Sequence, residues 1–134
     1  MTVRKLLLLP LLVHLSACSD AVPEASLVGS YVANYGGETA TLSLRADRTY
    51  THTVRANGRQ IEEQVSTWKA SQLAASGVER TAVDFSGFVA IPSFRDKQKV
   101  GVGWVSEVES TWLWPIQLCF DSDIGYCYVK RSAS

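Results

Sequence analysis

Asn57-Gly58 stands between two stretches of alternating polarity, residues 49–56 and 59–68, and no other feature constrains the fold as much. A two-residue type I′ turn needs positive φ at both central positions, and Asn followed by Gly accepts that geometry readily. The two stretches therefore read as an antiparallel hairpin. Tyr50, His52 and Val54 share the face that turns inward, while Thr49, Thr51, Thr53 and Arg55 share the outer one. With a two-residue loop Ala56 faces Arg59, which sets Val54 against Ile61, His52 against Glu63 and Tyr50 against Val65 on the inward side. Thr53–Glu62 and Thr51–Gln64 are then the outer pairs.

The remaining chain reads as further short strands separated by turn residues. Strands are expected at 28–34, 39–45, 80–89, 100–106, 116–120 and 126–131. Leu42 and Leu44 alternate with Thr41, Ser43 and Arg45; Val83 and Phe85 alternate with Ala82 and Asp84. Tyr35-Gly36-Gly37, Ala46-Asp47-Arg48 and residues 121–125 supply turns. Residues 69–77, rich in Ala and Ser, read as a loop or a short helical turn. That makes about eight strands with no substantial helix, the pattern of an antiparallel sandwich or small barrel.

The chain opens differently. Arg4 and Lys5 precede an apolar run, residues 6–15, broken only by Pro10 and His14, and small residues follow. The run is far shorter than the roughly 20 residues a membrane-spanning helix needs, so the segment reads as a secretory signal. Leu15-Ser16-Ala17-Cys18 resembles the lipobox of bacterial lipoproteins. The resemblance implies cleavage before Cys18, a diacylglycerol on its sulfur and an acyl chain on its new amine. Several acyl chains, at ~0.8 kcal/mol per buried CH₂, make attachment essentially permanent. An ordinary secretory signal with a cysteine near its cleavage site is the alternative. Ser19, in place of an aspartate directly after the cysteine, implies export to the outer membrane by the same resemblance. The expected organisation is a leader over 1–17, lipidated Cys18 and a linker over 18–26, and one β-domain over 27–134.

A second resemblance concerns that domain. Gly29-Ser30-Tyr31, the run Leu42, Leu44, Asp47, Thr49 and Tyr50, and then Trp68 together resemble the entry of lipocalin-like lipoprotein domains. The resemblance covers roughly residues 27–68 and implies an eight-stranded antiparallel β-barrel. Arg48 departs from it, standing where such domains usually carry glycine.

Of the 134 residues, removal of 1–17 leaves 117, enough for one domain. Arg4 and Lys5 leave with the leader, so the 13 Lys+Arg become 11 against 13 Asp+Glu, a net charge of −2. That balance gives no indication of nucleic-acid binding. With Cys18 lipidated, Cys119 and Cys127 remain as a pair; they are symmetric about Asp123, and strands folding back there place them at disulfide distance. A bulge at Gly125 would shift that register. His14 leaves with the leader, making His52 the only histidine of the mature chain.

Few residues invite a chemical reading. His52 opposite Glu63 reads either as an acid–base pair or polar handle for a ligand, or as a structural cross-strand pair. If the two face each other, an ionised Glu63 raises the histidine pKa above about 6.5. Trp112 and Trp114, just before Pro115, are candidates for an aromatic rim, whereas Trp68 and Trp104 read as core. Residues 121–125 look faintly like a calcium loop but lack its later carboxylates, and Arg95 to Lys99 form a cationic cluster suited to a solvated loop, headgroups or a glycan. No metal ligand set, cofactor motif or nucleophile elbow is recognisable. The expectation is therefore a non-catalytic, lipid-anchored envelope module that binds an unknown protein, glycan or small apolar ligand. The alternatives are an inhibitor of an envelope hydrolase acting through residues 86–99, and a small enzyme using His52 and Glu63.

Overall fold

The computed structural model describes residues 21–75, 77–96 and 104–133. Cys18 and the leader lie outside the described residues, as do residues 97–103. Eight antiparallel strands follow in order: β1 (Gly29–Tyr35), β2 (Glu38–Leu44), β3 (Thr49–Ala56), β4 (Arg59–Ala75), β5 (Val78–Phe85), β6 (Trp104–Thr111), β7 (Trp114–Asp121) and β8 (Tyr126–Lys130). Each pairs with its sequence neighbour, and β8 returns to β1 through Tyr31↔Lys130 and Val32↔Val129, so the barrel is closed. Closure leaves no free sheet edge for another chain to extend. The expected all-β antiparallel barrel is the observed fold.

Period-two alternation builds the interior. Tyr31 and Ala33 of β1, Ala40, Leu42 and Leu44 of β2, and Tyr50, His52 and Val54 of β3 are all 3% exposed or less. Leu118 of β7 and Tyr126 and Tyr128 of β8 join them, each fully buried. An eight-stranded barrel is just wide enough for side chains to fill it, and here aromatic rings do so.

Strands that alternate in direction place their turns at alternate ends. At one end a single-turn helix, α1 (Glu24–Leu27), caps the barrel. Leu27 is buried and its carbonyl accepts from Tyr31 Oη at 2.6 Å; Arg48 pairs with Glu24 at 3.0 Å, and the Val22 amide donates to Thr81 Oγ1 at 2.9 Å. Val22, within the stretch read from the sequence as linker, is thus bonded to the barrel. Arg48, the departure from glycine, adopts φ +65° and turns β2 into β3 in the conformation glycine would take.

The opposite end is closed by chain from the β5–β6 connection. β5 stops at Phe85, short of residue 89, because residues 86–96 fold back over the barrel mouth. Phe88, Ala90, Ile91 and Phe94 enter the core, and Pro92–Arg95 forms a second single-turn helix, α2. A further difference lies at residues 69–77. They continue β4 through Ala75, Gly77 (φ +77°) supports the turn, and β5 returns from Val78. Small Ala and Ser side chains carry a weak strand pattern, but pairing from Trp68↔Phe85 to Ala75↔Val78 holds them in the sheet.

Cys119 and Cys127 face each other with Cα atoms 4.1 Å apart and form a disulfide. An irregularity between Cys119 and Asp121 falls beyond the bridge, so it leaves the cysteine register intact.

Candidate functional site

The sequence-predicted pair of His52 and Glu63 is not formed, and the reason is one residue. Ala56↔Arg59 and Arg55↔Gln60 pair as the turn dictates, but the next pair is Val54↔Glu62. Ile61 is extra on β4, a bulge that moves every later residue to the opposite face. His52 then lies opposite Gln64, and Glu63 lies opposite Thr53 and takes a hydrogen bond from Gln60 Nε2 at 2.9 Å. The bulge buries Trp68, 3% exposed, and leaves Ile61 and Val65 outside at 46% and 63%. Burial of one large indole outweighs exposure of two aliphatic side chains that keep part of their surface covered.

His52 has other partners. It is 2% exposed, its Nε2 lies 2.8 Å from Tyr128 Oη, and Tyr128 lies 2.8 Å from Tyr126 Oη. The Ile91 amide of the folded-back loop donates to Tyr126, so the chain of hydrogen bonds runs from the barrel wall to the plug. Burial holds the His52 pKa down at about 4, with Glu62 opposing and Arg95 adding to the shift. The histidine is therefore neutral at physiological pH, contrary to the rise expected from Glu63. Burial also pushes Tyr126 up to about 12 and Tyr128 well above its ordinary value. None of these groups is poised to exchange protons with a substrate near neutrality.

The even-numbered residues that the bulge turns inward hold the loop. Gln64 accepts from the Val89 amide through Oε1 at 3.1 Å and donates to the Gly87 carbonyl through Nε2. Glu62 takes Arg95 Nη2 on both carboxylate oxygens, at 2.8 and 2.6 Å, and the same nitrogen reaches the Ala90 carbonyl. Tyr50 Oη donates to the Ser86 carbonyl at 3.0 Å, and Glu38 accepts from the Ser93 amide at 3.0 Å. Arg95, read from the sequence as part of a solvated cluster, is thus a clamp residue; Lys97 and Lys99 lie outside the described residues.

Between the clamp and β4 lies an open depression of about 500 Å³, lined by Ile61, Glu62, Glu63, Gln64, Val89 and Arg95, with His52 at its floor. Exposed Ile61 and Val89 give it two apolar contacts beside a carboxylate–guanidinium rim. Glu63 borders this depression, but from the outer face. Phe88 seals the barrel beneath, with ring centroids 4.7 Å from His52 and 4.7 Å from Phe120 and further ring contacts to Tyr50, Phe85, Trp104 and Tyr128.

Trp112 and Trp114 are 92% and 69% exposed and lie at the α1 end, away from the depression. Trp68 and Trp104 belong to the core and its border. Asp121 accepts from the Ile124 amide, the contact of an ordinary turn, and among the described residues no group of three or more His, Cys, Asp or Glu is arranged to hold a metal ion. Among the described residues no helix is long and apolar enough to cross a membrane. Glu62, Gln64 and the two tyrosines were missed by sequence reasoning; the parity of Trp68, which shares its face with 62, 64 and 66, is the signal that finds the β4 members. No family model, curated protein or solved structure matches this chain.

Proposed function

We propose that this chain is a lipid-anchored module of the bacterial envelope, held at the periplasmic face of the outer membrane, that works by binding a partner and not by catalysis. The observation that carries the reading is the filled barrel. Phe88 and Phe94 descend from the loop into a core of Tyr, Phe and Leu side chains that are 0–3% exposed. A ligand-carrying barrel needs a concave, partly empty interior, and these side chains occupy that volume, which favours a protein or glycan over a small apolar ligand. A buried, neutral His52 engaged by Tyr128 supports the non-catalytic assignment. The anchor is supported by the Leu15-Ser16-Ala17-Cys18 resemblance and by the position of Val22, fixed to the barrel end four residues after Cys18.

The recognition surface in this reading is the loop end, where the depression combines apolar Ile61 and Val89 with Glu62, Glu63 and Arg95. One observation also favours inhibition of an envelope hydrolase through the same surface. Residues 86–96 are pinned by Tyr50, Gln64, Glu38 and Glu62 before any partner arrives, and a loop ordered in advance loses little entropy on docking. A photoreactive residue placed at Val89, or at Ser43 on the barrel wall, tests the assignment in intact cells. Adducts with one protein or glycan from position 89 and none from position 43 are expected. Equal labelling from both positions, or none from 89, contradicts it.

A further inference from the structure

The turn between β6 and β7 exposes three consecutive large apolar residues. Thr111 pairs with Trp114, leaving Trp112 and Leu113 at the tip, and exposure runs to 92%, 63% and 69% for Trp112, Leu113 and Trp114. Among the described residues neither indole makes a ring contact with the aromatic core. Such a cluster on a soluble surface marks something that covers it.

Strand alternation places this tip at the end of the barrel that carries α1. The neighbouring β4–β5 turn lies at the same end and adds Val78, 44% exposed. The chain also enters there. The Val22 amide is bonded to Thr81, and four residues at ~3.5 Å each give a reach of roughly 14 Å back to Cys18. A chain tethered through Cys18 therefore turns this end, and not the clamped loop, toward the bilayer.

The chemistry of the tip fits that occupant. Indole is apolar over most of its surface with one N–H donor, and tryptophan collects at the headgroup–acyl boundary for that reason. A convex tip penetrates a soft surface, whereas a stable protein interface buries ~800 Å² on each side over complementary contours. Two cations at this end are engaged within the protein, Arg48 with Glu24 and Arg80 with Glu107.

We propose that Trp112, Leu113 and Trp114 insert into the headgroup–acyl boundary of the membrane that holds the anchor, forming a second contact that fixes the orientation of the barrel. The proposal rests on the anchor reading and adds to it. Full-length processed protein, extracted from its own membranes, is reconstituted in phosphatidylcholine vesicles with or without brominated acyl chains. Tryptophan emission of the wild type should shift to the blue and be quenched by the bromines. Acrylamide in the aqueous phase should lose access to it. The variant Trp112→Ser/Trp114→Ser should lose the bromine-dependent quenching while its buried Trp68 and half-buried Trp104 keep their emission. Bromines that leave the wild type unchanged, or quench the double variant equally, overturn the proposal. Concentration-dependent dimers with an unquenched wild type overturn it in favour of a second copy. An intact mass without acyl chains removes the anchor alone. Quenching of that unlipidated chain by added brominated vesicles still supports insertion, and no quenching overturns it.

Discussion

At the scale of single residues, His52 shows how position in the sheet decides chemistry. The same imidazole opposite a carboxylate in water would hold its proton more tightly. Here, 2% exposed and beside Phe88 and Tyr128, it is held at about 4. The unfolded chain binds this proton at about pH 6.5 and the folded barrel only near pH 4. Between those values the unfolded state carries more protons, so acid favours unfolding. The stabilisation is complete above pH 6.5 and is lost as pH falls toward 4, to the extent of roughly 3 kcal/mol. Denaturant titrations at closely spaced pH values should show the loss in wild type, and His52→Gln should flatten it through that window. A midpoint that does not change between pH 6.5 and 4 contradicts a buried neutral histidine.

At the scale of elements, the β5–β6 loop behaves as part of the core and not as a surface connection. Gln64 holds it through two backbone groups, the Gly87 carbonyl and the Val89 amide. Gln64→Ala should destabilise the protein by about 1–2 kcal/mol, since two hydrogen bonds go and water can reach the freed groups. Amide exchange at Val89 should accelerate well beyond that in β2, and uniform exchange across both would show that the clamp is not Gln64. This arrangement also shows what the residues disclosed. The Asn57-Gly58 turn, the alternation of Leu42 and Leu44, and the symmetry of Cys119 and Cys127 are local or period-two properties, and each predicted its element. The Ile61 bulge is not local. It follows from the requirement that Trp68, seven residues later, reach the interior, so the even-numbered residues of β4 became the site in place of Glu63. Phe88 and Phe94 look like a strand end and a loop residue in sequence, because what they fill is the space between strands distant in the chain, from β1 to β8.

For the whole molecule, the two ends of the barrel have different chemistry. The α1 end receives the chain and carries exposed Trp112, Leu113 and Trp114, whereas the opposite end carries a clamped loop and a depression with charged and apolar lining. A solid barrel between them makes one rigid spacer, with the Cys119–Cys127 bridge stapling β7 to β8. In the proposed reading, a lipid at Cys18 is what holds the chain at the membrane. The most direct test is the intact mass of the protein extracted from membranes of its own cell, compared with Cys18→Ser. The account predicts a wild-type chain beginning at residue 18 and heavier than its peptide by a diacylglycerol and an acyl group, with the variant unlipidated and released by washing. A wild-type mass equal to the bare polypeptide, or a Cys18→Ser protein that stays with the membrane unchanged, would contradict it.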